Sequence, residues 1–209
     1  MKWFRTAVAS TFALVLAVGT ASAASLVLPR AGQVGIGLQG SFGSLVGGGD
    51  YGEEFGSGTG LAVRLRYRMR YERAIGLSFE SHQLDARTPS NRAGAFDSLT
   101  DVPPITRDRL SMVTAGFEFY QMFDTRSRTV KMISVGVGLG QATARLSNGE
   151  TQIPIAGDAV YMSAGAGIER FVYRSWAVDA STRYFAMFHD GKLNHDVQVS
   201  LGMIFYAAY

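Results

Sequence analysis

LAVRLRYRMRY, residues 61–71, is the stretch on which the fold turns. Leu61, Val63, Leu65, Tyr67, Met69 and Tyr71 alternate with Arg64, Arg66, Arg68 and Arg70. A β-strand sends successive side chains to opposite faces, so these residues form one strand with an apolar surface and a cationic one. On a helix the same arginines would be scattered around the circumference.

The alternation recurs seven more times. The first strand is expected at 32–42, with Val34, Ile36, Leu38 and Phe42 on one face and Gln33, Gly35, Gly37, Gln39 and Ser41 on the other. The segment 61–71 is the second. The third, at 74–82, sets Ile75, Leu77 and Phe79 against Gly76, Ser78, Glu80 and His82. Further strands are expected at 109–123, 130–143, 159–172, 176–186 and 195–205, each with the same two-residue rhythm. Long polar connections at 43–58, 85–108, 145–158 and 188–194 alternate with short turns around 72–73, 124–128 and 173–175. Outer-membrane barrels have this asymmetry, with long loops outside and short turns in the periplasm.

Composition agrees with a wall of strands. Charged residues are 18% of the 209, below the roughly 25% of an ordinary soluble domain. The net charge of +3 is too small to argue for nucleic acid, and with no cysteine, thiol catalysis and cysteine-bound metal are excluded. Residues 1–23 read as a secretory signal peptide. Lys2 and Arg5 precede an apolar run, and Ala21-Ser22-Ala23 supplies a small-residue cleavage site. The mature barrel domain is then 24–209, and no later stretch is apolar for long enough to be a membrane helix.

A soluble lipocalin-like barrel would share the periodicity with its apolar face inward. Three features favour the apolar face outward. Glycine crowds the polar face, at Gly35, Gly37, Gly76, Gly136, Gly138, Gly140, Gly165, Gly167 and Gly202, where it makes room inside a narrow barrel. The polar-face charges nearly balance: Arg64, Arg66, Arg68, Arg70 and Arg183 can meet Glu80, Glu118, Glu169, Asp179 and Asp196. Apolar-face aromatics gather at strand ends, with Tyr71, Phe119, Trp176 and Phe205 toward the periplasmic side and Phe42 and Tyr184 toward the outer side, as in a pair of aromatic girdles. Arg170 departs from the pattern by carrying apolar-face parity beside a short turn, where its stem can snorkel.

GQVGIGLQGSFG at 32–43, GAGIERFVYRSWAVDASTRYF at 165–185 and VQVSLGMIF at 197–205 make the chain, from Gly32 to Tyr209, resemble the OmpA/OmpX-type family of small outer-membrane barrels. The resemblance implies an all-β, eight-stranded antiparallel up-and-down transmembrane barrel, exported to the bacterial outer membrane. It implies contact with outer-membrane lipids and lipopolysaccharide. It also implies a C-terminal signal for the assembly machinery, carried by Ser200, Gly202, Phe205 and Tyr209. Here the chain runs four residues past Phe205.

Chemistry-bearing patterns are weak. Ser78, Glu80 and His82 share a face, but neighbours two apart on a strand stand about 6.5 Å apart, too far for a direct relay. His82, His189 and His195 lack a metal-site spacing. The glycine-rich stretch at 43–58 precedes a strand, so it has no helix terminus to hold phosphate. No catalytic residue, cofactor or metal is therefore expected. The leading expectation is a structural or surface-interaction protein whose extracellular loops, chiefly 85–108, meet a ligand of unknown identity. The alternatives are a small anion-preferring pore lined by the arginine row, a lipid-modifying enzyme, and the soluble ligand-binding barrel.

Overall fold

The computed structural model describes residues 30–46, 52, 55–87, 107–146, 152–154, 159–173, 175–189 and 191–207. The expected signal peptide, Tyr209 and most of the first three long connections lie outside them. The described chain forms β1 (Val34–Leu45), β2 (Phe55–Arg70), β3 (Arg73–Ala86), β4 (Arg107–Phe123), β5 (Thr129–Leu146), a short β6 (Gln152–Pro154), β7 (Ala159–Tyr173), β8 (Trp176–His189) and β9 (Lys192–Tyr206).

Every barrel strand pairs antiparallel with its neighbour in sequence, β6 apart. β1 pairs with β9 and β4 with β5, so the sheet closes into a ring of eight. Closure leaves none of the eight barrel strands at an edge; among the described residues the short β6, paired with β5 alone, is the exception. The strands outrun the expected ones at their long-connection ends, where pairing continues past the point at which the sequence turns polar. β6 sits inside the expected 145–158 connection and pairs with Thr143 to Arg145. The expected long connection at 188–194 is replaced by a hairpin. His189 pairs with Lys192, and Gly191 between them has φ of +74°. Asp190-Gly191 is a two-residue hairpin signal, because such turns need positive φ that glycine adopts freely.

The apolar face points outward. Ile36, Leu38, Leu61, Val113, Val135 and Leu139 are 55% to 63% exposed. The interior is layered. At the long-connection end, Leu45, Phe55, Leu84, Leu110, Met112, Tyr161, Phe185 and Met187 form one buried apolar cluster. At the short-turn end, Tyr120, Met122, Val130, Met132, Phe171, Ile204 and Tyr206 form another. Most of the buried polar and charged side chains occupy the layer between them. A lumen that reads as polar from the strand centres is thus stoppered at both ends by residues of the same inward parity, except Phe55, which a register shift in β2 turns inward.

Glycine sets how closely this interior packs. A Cβ on Gly138 would run into the Ala115 carbonyl and come within 2.6 Å of both the Gly116 Cα and the Tyr161 ring. One on Gly202 would run into the Leu38 carbonyl and lie 2.6 Å from the Gln39 Cα. Gly40, on the outer face, would meet nothing nearer than 3.9 Å. Gly138→Val and Gly202→Val are therefore expected to destabilise the barrel by about 1–3 kcal/mol through overpacking. Gly40→Ala is expected to leave stability nearly unchanged. Urea unfolding in lipid vesicles, followed by tryptophan fluorescence, checks both.

Candidate functional site

The middle layer is a charge network drawn from seven of the eight barrel strands. Arg66 on β2 is fully enclosed. Its Nη1 donates to Glu169 Oε2 on β7 at 2.8 Å and to the Tyr206 hydroxyl on β9 at 3.2 Å. Its Nη2 donates to Asp179 Oδ2 on β8 at 3.4 Å. The same guanidinium lies over the Tyr120 ring, 4.3 Å from its centroid. Asp179 accepts a second bond, from Gln39 Nε2 on β1 at 2.6 Å, and Tyr206 donates its hydroxyl proton to Glu169 at 3.0 Å. Arg68 stands 3.7 Å from Glu169 and stacks over Tyr206 at 5.2 Å.

A second knot adjoins the first. Glu80 on β3 faces Arg64 at 3.3 Å and also pairs with Arg183 on β8. Arg183 bridges onward to Glu118 on β4, which accepts a bond from the Tyr120 hydroxyl. Arg64 Nη1 donates to Ser181 Oγ at 3.3 Å. β5 brings no charge. It lays Gly136 and Gly138 against the layer, and a Cβ on Gly136 would lie 2.7 Å from Ser163 Oγ and 3.3 Å from Glu118 Cγ.

The sequence-derived network divides. Arg64, Arg66, Arg68 and Arg183 meet Glu80, Glu118, Glu169 and Asp179 in the sealed layer. Arg70 does not join them. A register shift between Arg68 and Arg70 ends the alternation at the turn, and Arg70 is exposed. Asp196 is buried but pairs with no arginine among the described residues. It lies opposite Leu45 and Phe185, one step toward the long-connection end, and accepts from Gln198 Nε2 at 2.7 Å. Two partners in the network, Tyr120 and Tyr206, are aromatic residues that charge-matching alone overlooks. Their inward parity is the signal that finds them.

His82 Nε2 lies 3.4 Å from Ser41 Oγ and 3.5 Å from Glu80 Oε2. Both contacts fall on one ring nitrogen, whereas a relay from acid to nucleophile uses the two nitrogens separately. The histidines do not converge: His82 and His189 are buried in the lumen, while the His195 ring stacks on Tyr184 with centroids 5.7 Å apart. Phe42, Tyr71, Phe119, Trp176, Tyr184 and Phe205 are all exposed. Trp176 and Phe205 are directly paired, with ring centroids 5.0 Å apart. Ser200 is buried, Gly202 packs against Leu38, and Tyr209 lies outside the described residues.

Taking two opposite charges out of water is costly, but removing one partner of a buried pair costs more, because the other charge is left uncompensated. Arg66→Met is thus expected to destabilise the barrel by roughly 3–5 kcal/mol. Arg70→Gln, on the exposed rim, is expected to change stability by no more than about 0.5 kcal/mol. Urea midpoints at constant m-value measure the difference.

No family model matches the sequence, and no curated protein sequence matches it either. Solved structures do. Neisserial surface protein A superposes with a TM-score of 0.58 at 13% identity, covering 82% of this chain and 96% of that one. The outer membrane protein OprG from Pseudomonas aeruginosa gives 0.56 at 13% identity, over 86% and 98%. Ail, the attachment invasion locus protein of Yersinia pestis, gives 0.54 at 13% identity, over 85% and 100%. With its closed ring, outward apolar face and sealed polar interior, the chain has the fold of the small eight-stranded outer-membrane β-barrels.

Proposed function

We propose that this protein is an integral, non-enzymatic barrel of the bacterial outer membrane, delivered there behind a cleaved signal peptide. Its sealed body presents the long connections at the cell surface. The observation that carries the reading is the outward apolar face. Large apolar side chains from every barrel strand stand exposed around the ring, a surface that water disfavours and lipid tails accept. Barrel strands of 12 to 18 residues exceed the 9–11 or so that a tilted strand needs to cross the hydrocarbon. No helix among the described residues is long and apolar enough to cross. Phe42 and Tyr184 toward one end, and Tyr71, Phe119, Trp176 and Phe205 toward the other, would then sit at the two membrane–water interfaces. Ser200, Gly202 and Phe205 on the last strand would be read by the assembly machinery, and lipopolysaccharide would border the outer half of the wall.

A surface-interaction role is supported by the neighbours. One is a surface protein and another an attachment invasion locus protein, and Ail has also been solved in complex with the heparin analogue sucrose octasulfate. Any ligand here would be met by the connections, above all 85–108. The pore alternative requires an open path past the arginines, yet these are paired with carboxylates and lie between two apolar clusters.

Two measurements test the proposal. The protein extracted in detergent is expected to migrate faster on gels before boiling than after it, as a folded barrel does. A mature chain that is monomeric in water without detergent would overturn the membrane reading. In planar bilayers no sustained channel events are expected. An anion-selective conductance abolished by Arg66→Ala would replace the sealed barrel with a pore.

A further inference from the structure

We propose that the short-turn rim of the barrel is a docking surface for the phosphate headgroups of anionic phospholipids in the leaflet that borders it. The inference rests on the membrane reading above and adds a partner to a surface that reading leaves plain.

Exposed arginines accumulate at this end. Arg70 and Arg73 flank the two-residue turn between β2 and β3 and are direct Cα partners. Like charges directly opposite each other on antiparallel strands repel, so this pairing is unfavourable unless an anion comes between or beside them. A second pair lies across the β5–β7 seam. Arg170, outward on β7, is the partner of Thr129, and Arg128 precedes Thr129 while its carbonyl accepts from the Phe171 N–H at 2.8 Å. Arg126 lies in the same turn as Arg128, and Arg30 lies near the first pair, two residues before Gly32, which donates to the Arg68 carbonyl at 2.7 Å. Among the described residues none of these six guanidinium groups is in an ion pair. Among the described residues the acidic side chains of this rim are Glu72 and Asp124, and Asp124 is taken by Lys131 at 2.9 Å.

Position favours a lipid over a free anion. Tyr71, Phe123, Tyr173 and Trp176 stand exposed at the same end, at the height where aromatic rings meet headgroups. An arginine just beyond them is within reach of a phosphodiester, which its planar fork binds through two parallel hydrogen bonds.

The test titrates the folded protein, in micelles of an uncharged detergent, with phosphatidylglycerol and separately with phosphatidylcholine, and counts bound lipids by native mass spectrometry. Phosphatidylglycerol is expected to bind in preference. Arg70→Gln combined with Arg73→Gln should weaken it roughly 30-fold, and the corresponding double lysine variant, which keeps the charge but not the fork, should lose less. Arg128→Gln with Arg170→Gln should weaken it independently. Equal binding of the two lipids, undiminished binding by both glutamine variants, or displacement by inorganic phosphate at matched concentration would overturn the proposal while leaving the barrel in place. Heat-modifiable migration of each variant shows that it is folded. A chain that is monomeric in water without detergent would instead overturn the membrane reading, and this surface with it.

Discussion

Four guanidinium groups enclosed in a ring of eight strands can stay charged only if carboxylates and aromatic faces surround them. Arg66 meets Glu169, Asp179, Tyr120 and Tyr206 at once, and Arg183 ties Glu80 to Glu118. Those partners come from β3, β4, β7, β8 and β9, so the network links strands that are far apart in the chain. A strand slipped by one residue would turn its charges toward the outer wall and its apolar side chains into the lumen. The charge layer therefore specifies register all round the ring, and register in turn gives the outer surface its continuous apolar character.

The two apolar clusters complete that logic. Water reaching the middle layer would screen the ion pairs and solvate each partner separately. Leu84, Leu110 and Phe185 on one side, with Met122, Phe171 and Ile204 on the other, separate the layer from the two ends of the barrel. The glycines of β5 belong to the same arrangement, since Gly136 and Gly138 leave the volume that Tyr161, Ser163 and Glu118 occupy. Rigidity is thus concentrated in the body of the barrel, and variation can be accommodated in its connections and rims without disturbing the core.

A body built this way leaves its chemistry at the two ends. The short-turn end has little chain with which to make anything but charge and aromatic contacts. There the exposed arginines and the ring of tyrosine, phenylalanine and tryptophan are the available vocabulary. The opposed pair Arg70 and Arg73 concentrates positive charge at that rim.

The alternation in 61–71 and its seven repeats were enough to determine an eight-stranded barrel with apolar and polar faces, because side-chain direction in a strand depends on residue parity alone. Parity also placed Arg64, Arg66, Arg68 and Arg183 on the same surface as their partners. Other features needed the third dimension. Arg70 has the right parity, but the register shift beside it ends the pattern, and only strand pairing reveals a shift. Asp196 has the right parity as well, but its height along the barrel axis puts it beyond the arginines, and height follows from the stagger between strands. The short Asp190-Gly191 hairpin was legible and was obscured by the polar residues around it. Which arginine meets which carboxylate, and that apolar side chains stopper both ends, was decided by tertiary structure, because both depend on which residues of distant strands arrive at one level when the ring closes.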